Sequence, residues 1–176
     1  MLNIPNILTL IRLMLVPLCA MYLYKEQFLA ALIIYVVASL TDIADGYIAR
    51  RFDIVTNFGK VVDPLADKLL SLSTITILSY RGRIHILVPI LIFVKELLIG
   101  LGGLLLYKKK HLVKSAKWYG KATTVLLFVS IVLVMFKATL FVGRVFMVVA
   151  LGFAYFALFM YLRQFVGIMT REKGTS

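Results

Sequence analysis

Residues 42–67 read DIADGYIARRFDIVTNFGKVVDPLAD and hold five of the eight acidic side chains of a 176-residue chain. The surroundings are oily and basic, with 62% hydrophobic residues and a net charge of +12. Soluble domains carry roughly 45–50% apolar residues, so the excess points to a lipid environment. Carboxylates gathered in such a chain need a reason, and their spacing supplies one. Asp42 and Asp45 lie three residues apart, and Asp63 and Asp67 lie four apart. Each pair therefore shares one face of a helix. Consecutive membrane helices run antiparallel, so both pairs fall at the same end and four carboxylates can converge between them.

Working outward from this window, the apolar runs predict an all-α integral membrane protein of six transmembrane helices, with a single domain over 1–176. Several runs approach the ~20 residues that cross a bilayer. The expected spans are roughly 7–24, 28–51, 63–80, 85–107, 122–138 and 141–163. Pro5 suits the first turn of the first span, and Pro17 is placed to kink it. The opening run has no basic segment before it and carries Arg12 inside it, so it reads as a retained helix rather than a cleaved leader.

Charge asymmetry orients the bundle. With six spans, twelve Lys and Arg fall on the face that holds both termini, residues 50–62 and loop 108–121, against five on the other face. The heavier face is cytoplasmic by the positive-inside rule. Both termini and the acidic window then lie inside the cell, with a cytoplasm-facing active site between helices 2 and 3. Short length and this bias suit a bacterial plasma membrane. The basic residues sit mainly where apolar runs end, and the aromatics lie within those runs. That pattern argues for membrane anchoring and against nucleic-acid binding. A single cysteine, Cys19, excludes an internal disulfide.

Four unpaired anions beside lipid would repel one another and take up protons. Two divalent cations neutralise them, and hard carboxylate oxygens suit Mg2+ or Mn2+. Paired metals are the usual apparatus for displacement at phosphorus. The competing account, helix capping at the interface, explains one such aspartate but not two facing pairs in helical phase. Gly46 and Gly59 flank the acids, and glycine costs about 1 kcal/mol relative to alanine inside a helix. Close approach of a phosphate or nucleotide to the backbone would justify them. Arg50, one turn beyond Gly46, could clamp a phosphate.

The whole pattern, D-x2-D-G-x2-A-R-x8-G-x3-D-x3-D, resembles that of the CDP-alcohol phosphotransferases (phosphatidyltransferases). The opening NIPNILTLIRLMLVP (3–17) and DPLADKLL (63–70) are most similar to the phosphatidylglycerophosphate synthase branch and the related cardiolipin synthases. The resemblance implies that Asp42, Asp45 and Asp63 bind two divalent metals and that Asp67, close to them, is the general base. It implies nucleotide contacts from Asp42, Gly46, Ala49, Arg50 and Gly59. The expected donor is CDP-diacylglycerol, the product set includes CMP, and the expected assembly is a homodimer.

The acceptor is written less clearly. A phosphorylated alcohol such as sn-glycerol 3-phosphate needs cations beside the metals, and the candidates are Lys60, Lys95, Lys121 and Arg12. WYGKATT (118–124) and KELLIGLGG (95–103) resemble family segments, but each lacks a basic residue, the second at Gly103. An acceptor with less charge, phosphatidylglycerol, would suit a cardiolipin-synthase-like enzyme. A divalent-cation transporter is the alternative of another class, although a conduction path would spread its polar groups across several helices.

Overall fold

The computed structural model describes the backbone of residues 4–51, 57–108 and 118–173, and the side chains of 8–42, 62–103, 118–163 and 166. Six helices and no strands form among these residues: α1 (Ile4–Tyr24), α2 (Phe28–Arg51), α3 (Asn57–Tyr80), α4 (Leu87–Lys108), α5 (Trp118–Val134) and α6 (Leu140–Lys173). The number of helices is the one expected, but several ends differ. The third begins at Asn57, before Asp63, so Pro64 sits inside the helix rather than in its first turn. Proline supplies no N–H to the turn beneath it, which loosens the helix beside two of the acids. The sixth runs ten residues past Arg163, to Lys173.

The helices form two compact units, α1 to α3 and α4 to α6. In the first unit, among the described residues, α1 packs along both of its companions more extensively than α2 and α3 pack on each other. Register follows from the side chains. Contacts along α1 and α3 rise together: Thr9 with Asp63, Cys19 with Thr74, Tyr24 with Tyr80. Along α1 and α2 they run in opposite senses: Arg12 meets Asp42, and the Cys19 thiol meets the Ala31 carbonyl. Thus α1 and α3 are parallel and α2 opposes them. Small residues carry the contact: Cys19, Ala31, Ala38 and Ala66 are fully buried. Small side chains let helix backbones approach closely where lipid gives no hydrophobic drive between helices.

The end of this unit remote from the acids is tied by two matching caps. At the end of α1, the Glu26 amide donates to Leu23 O and the Gln27 amide to Tyr22 O. At the end of α3, Gly82 donates to Ser79 O and Arg83 to Leu78 O. Both are Schellman closures, which require one residue in the left-handed region. Gly82 takes it freely at φ 69°, and Glu26 takes it at φ 59°. The Glu26 carboxylate is held by Arg81, 3.2 Å away, and the Arg81 guanidinium lies over the Tyr24 ring at 4.6 Å. Tyr24 stacks on Tyr80, so the two caps are joined by aromatic and ionic contacts.

In the second unit α5 and α6 form a tight antiparallel hairpin, and Tyr155 of α6 donates to the Leu91 carbonyl of α4. The hairpin closes through residues 135–139, where Thr139 donates to Leu133 O and the Gly143 amide to Thr139 O. Gly143 stands against the last turn of α5: a Cβ there would lie 2.7 Å from Val134 N. At the far end of the hairpin, Tyr119 is buried edge-on against Phe156 and Tyr161. This contact explains why α5 starts at Trp118, earlier than the apolar run suggests. Thr123 and Thr124 return their hydroxyls to the Tyr119 and Gly120 carbonyls one turn back.

Outward faces are apolar, with Met14, Phe141, Val148 and Phe159 among the most exposed side chains. Exposed large apolar side chains occur on every one of the six helices. Among the described residues, Leu140–Arg163 is long and apolar enough to cross a membrane by length and composition. Shorter apolar stretches are Leu8–Tyr24, Phe28–Asp42 and Trp118–Val134.

Two consequences are measurable by thermal melting in detergent. Gly143→Ala should destabilise by about 1–3 kcal/mol, because the atom it meets is backbone and cannot swing away. Gly152→Ala, with nothing within 4 Å of its Cβ, should leave stability unchanged or raise it by up to about 1 kcal/mol through helix propensity. Tyr119→Ala should cost about 3–5 kcal/mol as a buried aromatic truncation. Its exposed neighbour Lys121, changed to alanine, should leave the melting temperature where it was.

Candidate active site

Each half of the acidic window ends on a helix that α1 contacts. Asp42 lies in the second half of α2, and Asp63 and Asp67 lie in the first half of α3. Among the described residues α1 lies along both of these helices and adds contacts of its own to the window. Two α1 side chains carry that role. Arg12 reaches Asp42, Nη1 to Oδ1, at 2.5 Å. Thr9 donates its hydroxyl to Oδ1 of Asp63. Thr9 and Arg12 are three residues apart, so they project from one face of α1 towards two different helices.

Burial makes these contacts strong. The Arg12 side chain is 0% exposed, while that of Asp42 is 35% exposed. Thr9 is also fully buried. A guanidinium removed from water is tolerable only beside a counter-charge, and Asp42 provides it. Asp42 and Asp63 are also close enough for the charge of one to act on the other. Gathering two like charges raises the energy of both ionised forms. Arg12 offsets part of that repulsion from inside the protein, on the α1 side.

Asp67 lies one turn past Asp63 on the same face of α3. Tyr35 of α2, buried, shares a hydrogen bond with Ser71 and lies within electrostatic reach of Asp67. Asp45, Gly46, Ala49 and Arg50 belong to the last turns of α2, and Gly59 and Lys60 to the first turn of α3. Their side chains lie outside the described residues, so the nucleotide contacts expected of them and the fourth carboxylate are placed only by backbone.

Donor chemistry fits a hard divalent cation. Asp42, Asp63 and Asp67 bring only carboxylate oxygens to one end of the first unit, and the α1 contacts use Oδ1 of Asp42 and Asp63. A carboxylate has a second oxygen to offer a metal. Among the described residues no three metal-ligating side chains gather closely enough to form a complete cation site. The side chain of Asp45, the remaining acid of the two pairs, lies outside the described residues.

Three of the four acceptor candidates have described side chains, and Lys60 does not. Arg12 is paired with Asp42 rather than standing open to a ligand. Lys95 of α4 is buried and paired with the adjacent Glu96. Lys121 is exposed in the first turn of α5. Thr9 is the residue that reading the sequence passed over. Its signal was present: a hydroxyl three residues before an arginine, both inside an apolar helix. Tyr35 was passed over because a tyrosine in an apolar run looks like packing.

Comparison with known proteins identifies the family. The family model for CDP-alcohol phosphatidyltransferases matches residues 2–159, which include all of the acidic window. A protein of Aquifex aeolicus named CDP-diacylglycerol–glycerol-3-phosphate 3-phosphatidyltransferase is 36% identical over 133 residues, 73% of this chain and 72% of its own length. One of the same name from Rickettsia felis is 40% identical over 100 residues, 55% of each chain. A Mycobacterium tuberculosis protein named probable phosphatidylglycerophosphate synthase is 38% identical over 128 residues, 69% of this chain and 60% of that one. The alignments thus span from about half to under three quarters of these relatives. A match over most of the chain, through both halves of the acidic motif that Thr9 and Arg12 contact, makes this protein a member of the CDP-alcohol phosphatidyltransferase family.

Proposed function

We propose that this chain is a membrane phosphatidyltransferase that moves the phosphatidyl group of CDP-diacylglycerol to sn-glycerol 3-phosphate, giving phosphatidylglycerol phosphate and CMP. The observation that carries this reading is the agreement of the named relatives, 36% and 40% identical, with a family match that spans the acidic motif. The α1 contacts to Asp42 and Asp63 support it, because they assemble acids from two helices at one end of the unit.

In this reading Asp42, Asp45, Asp63 and Asp67 hold two divalent ions, Mg2+ or Mn2+. Bound there, the ions would neutralise charge on the donor pyrophosphate. The backbone at Gly46 and Gly59, with Asp42, Ala49 and Arg50, binds the cytidine diphosphate group. Asp67 accepts the proton of the acceptor hydroxyl as that oxygen forms a bond to the β-phosphorus. The bond from that phosphorus to the CMP oxygen breaks, and CMP leaves carrying the electron pair. The proton on Asp67 passes to water, and the phosphatidyl group stays in the bilayer on its new alcohol.

A lipid donor explains the setting. Acyl chains can remain among apolar helix faces while the headgroup reacts at the water boundary. All six helices cross the membrane in this reading, with both termini on the cytoplasmic side where lysine and arginine are densest. Lys60 and Lys121 are the cations best placed in sequence to meet an acceptor phosphate. Arg12 and Lys95 already have carboxylate partners. The expected assembly is a homodimer.

The test is CMP release by purified protein given CDP-diacylglycerol and magnesium, with glycerol 3-phosphate, phosphatidylglycerol, inositol phosphate and serine in separate reactions. CMP should appear with glycerol 3-phosphate alone. A response to phosphatidylglycerol instead would make the enzyme cardiolipin-synthase-like, and no response to any acceptor would remove the transferase reading. Chelation by EDTA should abolish release, with recovery on adding Mg2+ or Mn2+. Asp67→Asn should lower turnover by roughly 10²–10⁴-fold, the usual contribution of a positioned base, with no change in melting temperature. Near-normal turnover in that variant would remove Asp67 as the base.

A further inference from the structure

Asp42 and Asp63 lie on different helices, and to serve one cation they must be held at a defined spacing. The first unit supplies one candidate, the face of α1 that carries Thr9 and Arg12. We propose that Thr9 and Arg12 are positioning residues for the divalent-cation site: α1 sets the orientation and separation of the Asp63 and Asp42 carboxylates. This rests on the metal-dependent reading above.

Four observations converge on it. Both side chains are fully buried, so their geometry is set by packing rather than by solvent. Each contacts one carboxylate oxygen, Oδ1, which orients the group without consuming both oxygens. Each meets a different helix, so together they fix a distance that neither α2 nor α3 fixes alone. And they are three residues apart on one rigid helix, so the two contacts cannot drift independently. Groups that hydrogen-bond to metal-ligating side chains typically change metal affinity 10–100-fold when removed, because they set the ligand's direction.

Arg12 could act in an opposite way, and charge makes the distinction measurable. A guanidinium beside Asp42 is also a competitor for a cation. If competition dominated, removing the charge would tighten metal binding. If positioning dominates, removing it weakens binding in spite of the favourable charge change. Thr9 carries no charge, so it isolates the positioning effect.

The experiment is Mn2+ binding to the purified full-length protein in detergent, followed by the loss of the free-ion electron paramagnetic resonance signal. Thr9→Val keeps the shape and deletes the hydroxyl, and it should weaken Mn2+ binding about 10–100-fold. Thr9→Ser restores the hydroxyl and should recover most of that loss, which a packing defect at Thr9 would not do. Arg12→Met should also weaken binding. Melting temperatures of all three report folding, and the Thr9 pair stands if Arg12→Met fails to fold. Equal Mn2+ affinity in the wild type, Thr9→Val and Thr9→Ser would overturn the proposal while leaving the metal-dependent reading intact. Tighter binding by a folded Arg12→Met would overturn it for Arg12. A wild-type protein that binds no Mn2+ would overturn both the proposal and the reading it rests on.

Discussion

The contact on which the first unit turns is the buried ion pair between Arg12 and Asp42. A guanidinium with no exposure to solvent inside an apolar helix is among the least tolerable placements in a protein of this composition. A carboxylate from the next helix meets it at 2.5 Å and supplies a counter-charge. That requirement sets the register of α2 against α1. With Thr9 bound to Asp63, the same face sets α3 as well. Positions of the remaining acids follow from helix geometry, since Asp67 lies one turn from Asp63 and Asp45 one turn from Asp42.

This arrangement divides work between the two ends of the unit. One end collects charge, where α1 supplies a cation and a hydroxyl to acids on two helices. The other end carries no comparable chemistry and is closed by paired Schellman caps, the stack of Tyr24 on Tyr80, and Arg81 shared between Glu26 and Tyr24. Fixing α1 and α3 firmly at the far end limits their sliding at the near end. A cation site built on these acids would be sensitive to shifts of well under a helical turn, so such a tie would matter to it even at a distance. The second unit is held differently. Its hairpin rests on a glycine that lets backbone meet backbone at Gly143 and on an aromatic cluster around Tyr119.

The cluster bears on the segment 118–124, which resembles an acceptor-recognition segment of the family. In three dimensions its residues split by phase. Tyr119 and Thr123 turn inward and serve packing and helix hydrogen bonding, while Trp118 and Lys121 face outward. A linear motif thus combines structural positions with ones that can meet a ligand. Lys95 shows the converse: an intramembrane lysine reads as a functional cation, yet its charge is answered by Glu96 beside it on the same helix.

Helical spacing of Asp42 with Asp45 and of Asp63 with Asp67 was legible without coordinates, because a period of 3.6 residues puts such pairs on one face whatever the surroundings. The all-helical class and the number of helices were legible too, from the length of the apolar runs between charges. Helix ends were less legible, since hydropathy records which residues are apolar and not where a helix begins or stops. The part played by α1 was not legible. Thr9 and Arg12 are separated from their partners by 54 and 30 residues, and contacts of that range depend on which helices lie side by side. Sequence alone determined what the acids could do as pairs. Only the tertiary structure decided what joins the pairs, because a buried charge takes its partner from the packing around it and not from its neighbours in the chain.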